Sequence, residues 1–231
     1  MIKLDLQFFG GRGSGSYSGS ASSGGSIMGG GGSGGGASTD MNVAGWTPEA
    51  GSRRVSSATT LNSAESRIQN LDHEQMVVVD RDGYVVAAVD GGAHSVSFTD
   101  RAYRAAIAGG TVTHNHPNGG TFSGTDIVSA GSLGITEIRA VSKRFGTTYS
   151  LKAGNKANGT GLASAMKRAD KRLAKQWDAK IEKINKKKYA NEANYEKAVY
   201  SAYNEVMGGW LSTNAKKYGY TYSSHKTGSY K

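Results

Sequence analysis

Two histidines stand two residues apart in Thr113-His114-Asn115-His116-Pro117, and a carboxylate follows in Phe122-Ser123-Gly124-Thr125-Asp126. In an extended segment, residues i and i+2 project from the same face, so His114 and His116 can turn toward one point. Asp126 can return from the next element as a third ligand. Three protein ligands with a free fourth position are what a catalytic zinc requires, because water must occupy that position. Ser123-Gly124-Thr125-Asp126 also reads as a capping box, so Asp126 has a competing role as the third residue of a helix. The two roles are compatible, since a capped helix start is a rigid mount for a ligand.

These residues need a sheet and a helix to hold them. A short helix is expected around residues 63–68. Residues 76–80 and 84–89 read as a hairpin turning at Arg81-Asp82-Gly83, since Asp-Gly between β-rich runs is a strong hairpin signal. A short strand is expected at 94–98, then a helix capped by Thr99 or Asp100 and stopped by Gly109-Gly110. Residues 111–115 are extended and lead into the ligand candidates, and a helix should run over 124–132. Residues 138–142 and 147–152 form a second hairpin turning at Arg144-Phe145-Gly146. The order predicts an α/β domain, a mixed β-sheet with flanking helices.

Further on the period changes. Leu162, Met166, Ala169, Leu173, Trp177, Ile181 and Ile184 recur every three or four residues, as do Tyr195, Val199, Ala202, Val206 and Trp210. Two antiparallel helices with facing apolar stripes are expected, separated by Asn185-Lys186-Lys187-Lys188. The chain therefore divides into a disordered Gly/Ser-rich tail and linker (1–54), a metal-binding domain (55–157) and a basic helical C-terminal region (158–231). The tail assignment rests on 14 of the 34 glycines falling within residues 1–37, a tract too poor in apolar surface to offset chain entropy.

Composition narrows the chemistry. There are no cysteines, which excludes disulfides, thiolate ligands and a cysteine nucleophile, so any metal is held by His, Asp or Glu. No stretch approaches a membrane span, and the opening hydrophobic run is short and interrupted by Asp5. No membrane association is expected, and a cytoplasm is the expected location. The net charge of +10 is uneven. Residues 151–231 hold 17 Lys/Arg against 6 Asp/Glu, a balance of +11, which leaves −1 for residues 1–150. Such a tail attracts nucleic acid or another polyanion, although a solvated lysine-rich helix face has the same composition. Tyr189, Tyr195, Tyr200, Tyr203, Tyr218 and Tyr220 lie among those lysines and are candidates for base stacking, or for the apolar helix stripe. His73, His94 and His225 have no ligand spacing and read as surface or structural residues.

The run THNHPNGGTFSGTD resembles the signature of the JAMM (MPN-plus, JAB-type) zinc metallopeptidases, most closely their RadC-like and prokaryotic branches. The resemblance covers residues 64–155. It implies a JAMM/cytidine-deaminase-like fold and one Zn2+ held by His114, His116 and Asp126. It also implies hydrolysis of a peptide or isopeptide bond in a protein or peptide substrate. The family uses an upstream glutamate as general base, for which Glu74 is the best match and Glu65 the runner-up, and a serine near the developing oxyanion, matched by Ser123. One departure is the spacing: nine residues separate His116 from Asp126, one fewer than is usual in the family. The opening MIKLDLQFFGGRGSGS is similar to the start of many structural-module proteins of phages and prophages of Gram-positive bacteria. That likeness favours a phage or mobile-element protein, located in the host bacterial cytoplasm or a virion, with phage structural proteins as partners. It also leaves open a non-catalytic structural or scaffold role, in which the fold and its basic helices bind protein or nucleic acid.

Overall fold

The computed structural model describes residues 57–91 and 107–227. The glycine-rich tail, the strand expected at 94–98 and the capped start of the next helix lie outside them. Helix α1 (Ser57–Ile68) precedes strands β1 (Gln75–Val79), β2 (Val85–Asp90) and β3 (Thr111–His116). Helix α2 (Gly124–Leu133) leads to β4 (Glu137–Ser142) and β5 (Thr147–Ala153), then to α3 (Gly159–Ile181), α4 (Glu192–Asn214) and β6 (Tyr220–Lys226). The strands form one mixed sheet in the order β2-β1-β3-β4-β5-β6. Only β3 and β4 run parallel among these neighbours, with α2 as their crossover; the other pairs are antiparallel.

Both hairpins follow from local sequence. Asp80 Oδ1 accepts from the backbone N–H of Asp82 and of Tyr84, each at 2.9 Å, so its side chain closes the β1–β2 turn. Helix α2 begins where the capping box places it: Ser123 Oγ accepts from Asp126 N at 3.1 Å, and Asp126 Oδ2 accepts from Ser123 N at 2.6 Å.

The strand alternation gives the sheet two different faces. Met76, Val78, Val112, Ile138, Ala140 and Leu151 point toward α2, α3 and α4 and join the main core. Val77, Ala88 and Val141 point the other way, against Ala64 and Ile68 of α1. That second face also holds a buried charged cluster. Arg139 of β4 donates to Glu65 of α1 and, at 2.9 Å, to Glu137. Thr113 and Thr148 donate to the same Glu65 carboxylate at 3.2 and 3.3 Å, and Ser150 donates to Glu137 at 2.7 Å. The bonds offset the desolvation of three charged side chains; removing one partner alone from such a cluster costs about 3–5 kcal/mol.

The C-terminal region departs from the expected helical appendage. Its two helices are present and antiparallel, but Leu162, Met166, Leu173, Trp177, Tyr203, Trp210 and Leu211 share one continuous core with the sheet. After α4 the chain returns as β6 and pairs with β5 from Thr147↔Lys226 to Ala153↔Tyr220. The expected boundary at 157/158 is thus crossed by both core and sheet. Helix α3 lies close on α2 because two glycines meet: a Cβ added to Gly131 would stand 2.3 Å from Gly159 O. Among the described residues no helix is long and apolar enough to cross a membrane.

Candidate metal centre

His114 and His116 sit at the end of β3 on the face that looks toward α2, because the strand alternates and Val112 two residues earlier already belongs to the main core. Their Nε2 atoms are 3.0 Å apart. Asp126, on the first turn of α2, places Oδ1 3.6 Å from His114 Nε2 and Oδ2 3.6 Å from His116 Nε2. All three side chains are buried. Two nitrogens bound tetrahedrally to one zinc at ordinary bond lengths stand about 3.3 Å apart, so the histidines need almost no movement to share an ion. The group can hold a metal ion, its donor atoms all lying within 4.8 Å of one another.

Asp126 fills the cap role with one oxygen and leaves the other available for a cation. Oδ2 takes the N–H of Ser123 and completes the helix cap, while Oδ1 has no hydrogen-bond partner. A buried carboxylate oxygen without a donor is costly unless a cation meets it. Burial works to raise the Asp126 pKa, but the adjacent His114, His116 and the Ser123 N–H outweigh it and bring it below the ordinary carboxylate value. His116 is pushed down to about 4, by burial first and then by the neighbouring His114, which leaves its ring neutral and its lone pair available as a ligand.

Glu74 immediately precedes β1. Met76 pairs with His114 across β1 and β3, and carrying that register two pairs further sets Glu74 opposite His116 on the same face. Its side chain is 3 % exposed, and Oε2 has no hydrogen-bond partner. Burial, with the Asp126 charge adding to it, pushes its pKa up to about 9; a bound cation acts in the opposite sense. Glu65, the other upstream candidate, is on the far side of the sheet, where Arg139, Thr113 and Thr148 occupy its carboxylate. It cannot face the histidines. Ser123 is buried at the cap, its Oγ accepting from Asp126 N and its own proton still available to donate.

Several residues that position the centre carried no sequence motif of their own. Asn115, between the histidines, accepts from Gln75 N at 2.6 Å and donates to His73 O at 2.8 Å, gripping the backbone on both sides of Glu74. The loop from Pro117 to Phe122 is held at nearly every residue. Arg144 Nε donates to Asn118 O at 3.0 Å, Ser142 Oγ to Gly119 O at 3.1 Å and Tyr203 OH to Phe122 O at 3.1 Å. Thr121 Oγ1 and Tyr222 OH lie 3.0 Å apart. Gly119 has φ +98°, and a Cβ there would come within 2.7 Å of the Arg144 side chain, so both the turn and the contact require glycine. Asn204 of α4 also bonds to this loop, accepting from Thr121 N at 2.6 Å; a polar residue one helical turn from Tyr200 and two from Leu211 is a sequence signal that could have marked it.

The remaining candidates are elsewhere. His225 of β6 packs on the charged face, its Nε2 3.0 Å from Arg139, and His73 pairs with Asp72 at 2.9 Å. His94 lies outside the described residues. Of the tyrosines considered for base stacking, Tyr203 and Tyr220 are in the core. Tyr200 is covered by Arg144, and Tyr189 and Tyr195 pack edge-to-face with Lys186 over Tyr195. No protein-family model, no curated protein and no solved structure matches this chain.

Proposed function

We propose that this chain is a JAMM-type zinc metallopeptidase or isopeptidase of a phage or mobile element, with a JAMM-like arrangement of sheet and helices around the centre. The observation that carries the reading is a second unpartnered carboxylate beside the first: Glu74 Oε2 and Asp126 Oδ1 are both buried without a donor, next to two facing imidazoles. Hydrolysis by activated water needs that combination of ligand set and base. His114, His116 and Asp126 would hold the zinc, which when bound supplies Lewis acidity and brings the pKa of water toward ~7. Glu74 then accepts the proton of the attacking water at Oε2. As the carbon–nitrogen bond breaks, it returns that proton to the leaving amine, so that water is added across the bond. Ser123 directs its hydroxyl proton at the developing oxyanion, and Asn115 keeps the backbone around Glu74 in register. All histidine-and-carboxylate donors are consistent with zinc, although they also accept other divalent transition metals. Full-length protein purified without chelator is expected to carry one zinc per chain by elemental analysis and to lose it on dialysis against a chelator. A stoichiometry near zero after zinc addition would sink the proposal.

The tightness of the centre favours a second reading. Glu74, His114, His116 and Asp126 are each 3 % exposed or less, which also suits a metal that only braces a non-catalytic phage structural or scaffold protein. In that role the partner surface would be α3. Lys167, Arg168, Lys171, Arg172 and Lys175 are exposed along one side of it, and none forms an ion pair among the described residues. Steps of four residues place Lys167, Lys171 and Lys175 about 6 Å apart along the axis, a spacing suited to successive phosphates of nucleic acid. Duplex DNA binding is expected to weaken as salt rises. Changing Lys171, Arg172 and Lys175 to Gln should lower the slope of log K against log salt by about 2.7; an unchanged slope would remove the ridge as the contact.

A further inference from the structure

Helix α4 reaches a ligand of the candidate centre through the Gly120–Thr121 peptide. His116 Nδ1 lies 3.0 Å from Gly120 O, and the N–H on the other end of that same peptide, from Thr121, donates to Asn204 Oδ1 at 2.6 Å. Asn204 is itself held from behind, its Nδ2 donating to Tyr149 OH at 3.1 Å and to Gly119 O at 3.3 Å. The peptide plane thus has a donor at one end and an acceptor at the other. A hydrogen bond to Gly120 O requires the proton on Nδ1 of His116, which leaves Nε2 bare on the side facing His114 and Asp126. Outer hydrogen bonds of this kind select the tautomer and ring angle of a ligating histidine and raise its basicity. His114 has no such support, since its Nδ1 is buried without a partner. Of the two rings, His116 is the one held by an outer hydrogen bond.

We infer that Asn204 is a positioning residue for the metal centre: by holding the Gly120–Thr121 peptide it fixes the tautomer and direction of the His116 imidazole. The inference rests on the zinc reading above for its functional meaning, while its structural half stands without metal. It also gives α4 a task in the centre: a loop one residue shorter than is usual in the family resembled is braced by a side chain 83 residues away in sequence. Arg144 ties the same helix to the loop a second time, donating to Asn118 O at 3.0 Å, to Ala193 O at 2.9 Å and to Glu196 at 2.6 Å.

The test compares Asn204→Ala with Val206→Ala in the full chain. Val206 lies on the same helix, buried in the core and away from the loop bonds, so it reports loss of α4 packing alone. Zinc affinity is read by competition with a chelator, and the His116 ring nitrogens are read by 15N NMR in metal-free protein. Asn204→Ala is expected to weaken zinc by about 10–100-fold, the usual effect of removing an outer partner of a ligand. It should also move the His116 signals from a single Nδ1–H form toward a mixture. Val206→Ala should lower Tm while leaving both readouts near wild type. Equal zinc loss in the two variants, or an Asn204→Ala protein with wild-type zinc affinity and an intact Nδ1–H signal, would overturn the inference. If the wild-type chain binds no zinc, the metallopeptidase reading fails, and the metal-free ring signals still decide whether Asn204 sets the tautomer.

Discussion

Changing Asp126 to Asn is expected to abolish zinc binding while leaving helix α2 in place. The side chain divides its oxygens between two tasks, Oδ2 on the Ser123 N–H and Oδ1 toward His114. Asn retains one oxygen, which can still accept from Ser123 N, and the Ser123 hydroxyl still accepts from the backbone N–H of residue 126. The cap therefore survives, and metal-free stability should change by no more than about 1 kcal/mol, the usual worth of a whole cap. What remains at the other position is an NH2 group aimed at the place where a cation would sit. Zinc affinity should fall by more than the 100-fold that bounds loss of an outer partner, and any hydrolysis should fall with it. Elemental analysis and thermal melts in chelator make the comparison. Retained stoichiometric zinc would show that Asp126 is a cap and nothing more.

Glu74→Gln separates catalysis from binding. Glutamine keeps the shape of the side chain, and no ligand of the metal changes, so zinc content should match wild type. The amide cannot accept the proton of water, so turnover should drop by about 10²–10⁴-fold, the range expected for a lost general base. Burial and the Asp126 charge push the Glu74 pKa up to about 9, so in the metal-free protein the side chain is already neutral near pH 7 and the isosteric amide should leave its stability near wild type. Parallel measurement of zinc content, Tm and peptide hydrolysis gives the answer. A variant with full zinc and full activity would leave the centre without its base, and an unaltered phenotype in an otherwise functional phage would favour the structural reading.

Much of the fold was legible locally. The Asp-Gly turn, the capping box at Ser123 and the two amphipathic helices each depend on residues close together in sequence, and each element stands within a few residues of its expected place. Strand β6 was not legible, because Tyr220-Thr221-Tyr222-Ser223-Ser224-His225 is half polar and short, and only pairing with β5 makes it a strand. Its neighbours were read for charge, and charge says nothing about which face of a helix is buried. Trp177 and Trp210 were seen in the two stripes and Tyr203 was also weighed for base stacking, yet their sharing one core with the sheet is decided by packing between elements distant in sequence.

The sequence by itself determined the donor set. With no cysteine, two histidines at i and i+2 on an extended segment and a carboxylate at a helix cap, the chemistry of the ligands and their common direction follow from strand and helix periodicity. The tertiary structure decided between the glutamates, because periodicity within α1 cannot say which side of the sheet the helix covers. Packing places Glu65 under Arg139 on the face away from the histidines, while Glu74 follows the β1 register toward His116 and is buried within reach of the Asp126 charge. It also decided what holds the loop between His116 and Ser123. Asn204, Tyr203 and Tyr222 reach that loop from 81 to 101 residues away, and contacts of that range are made by the folded core rather than by any local preference.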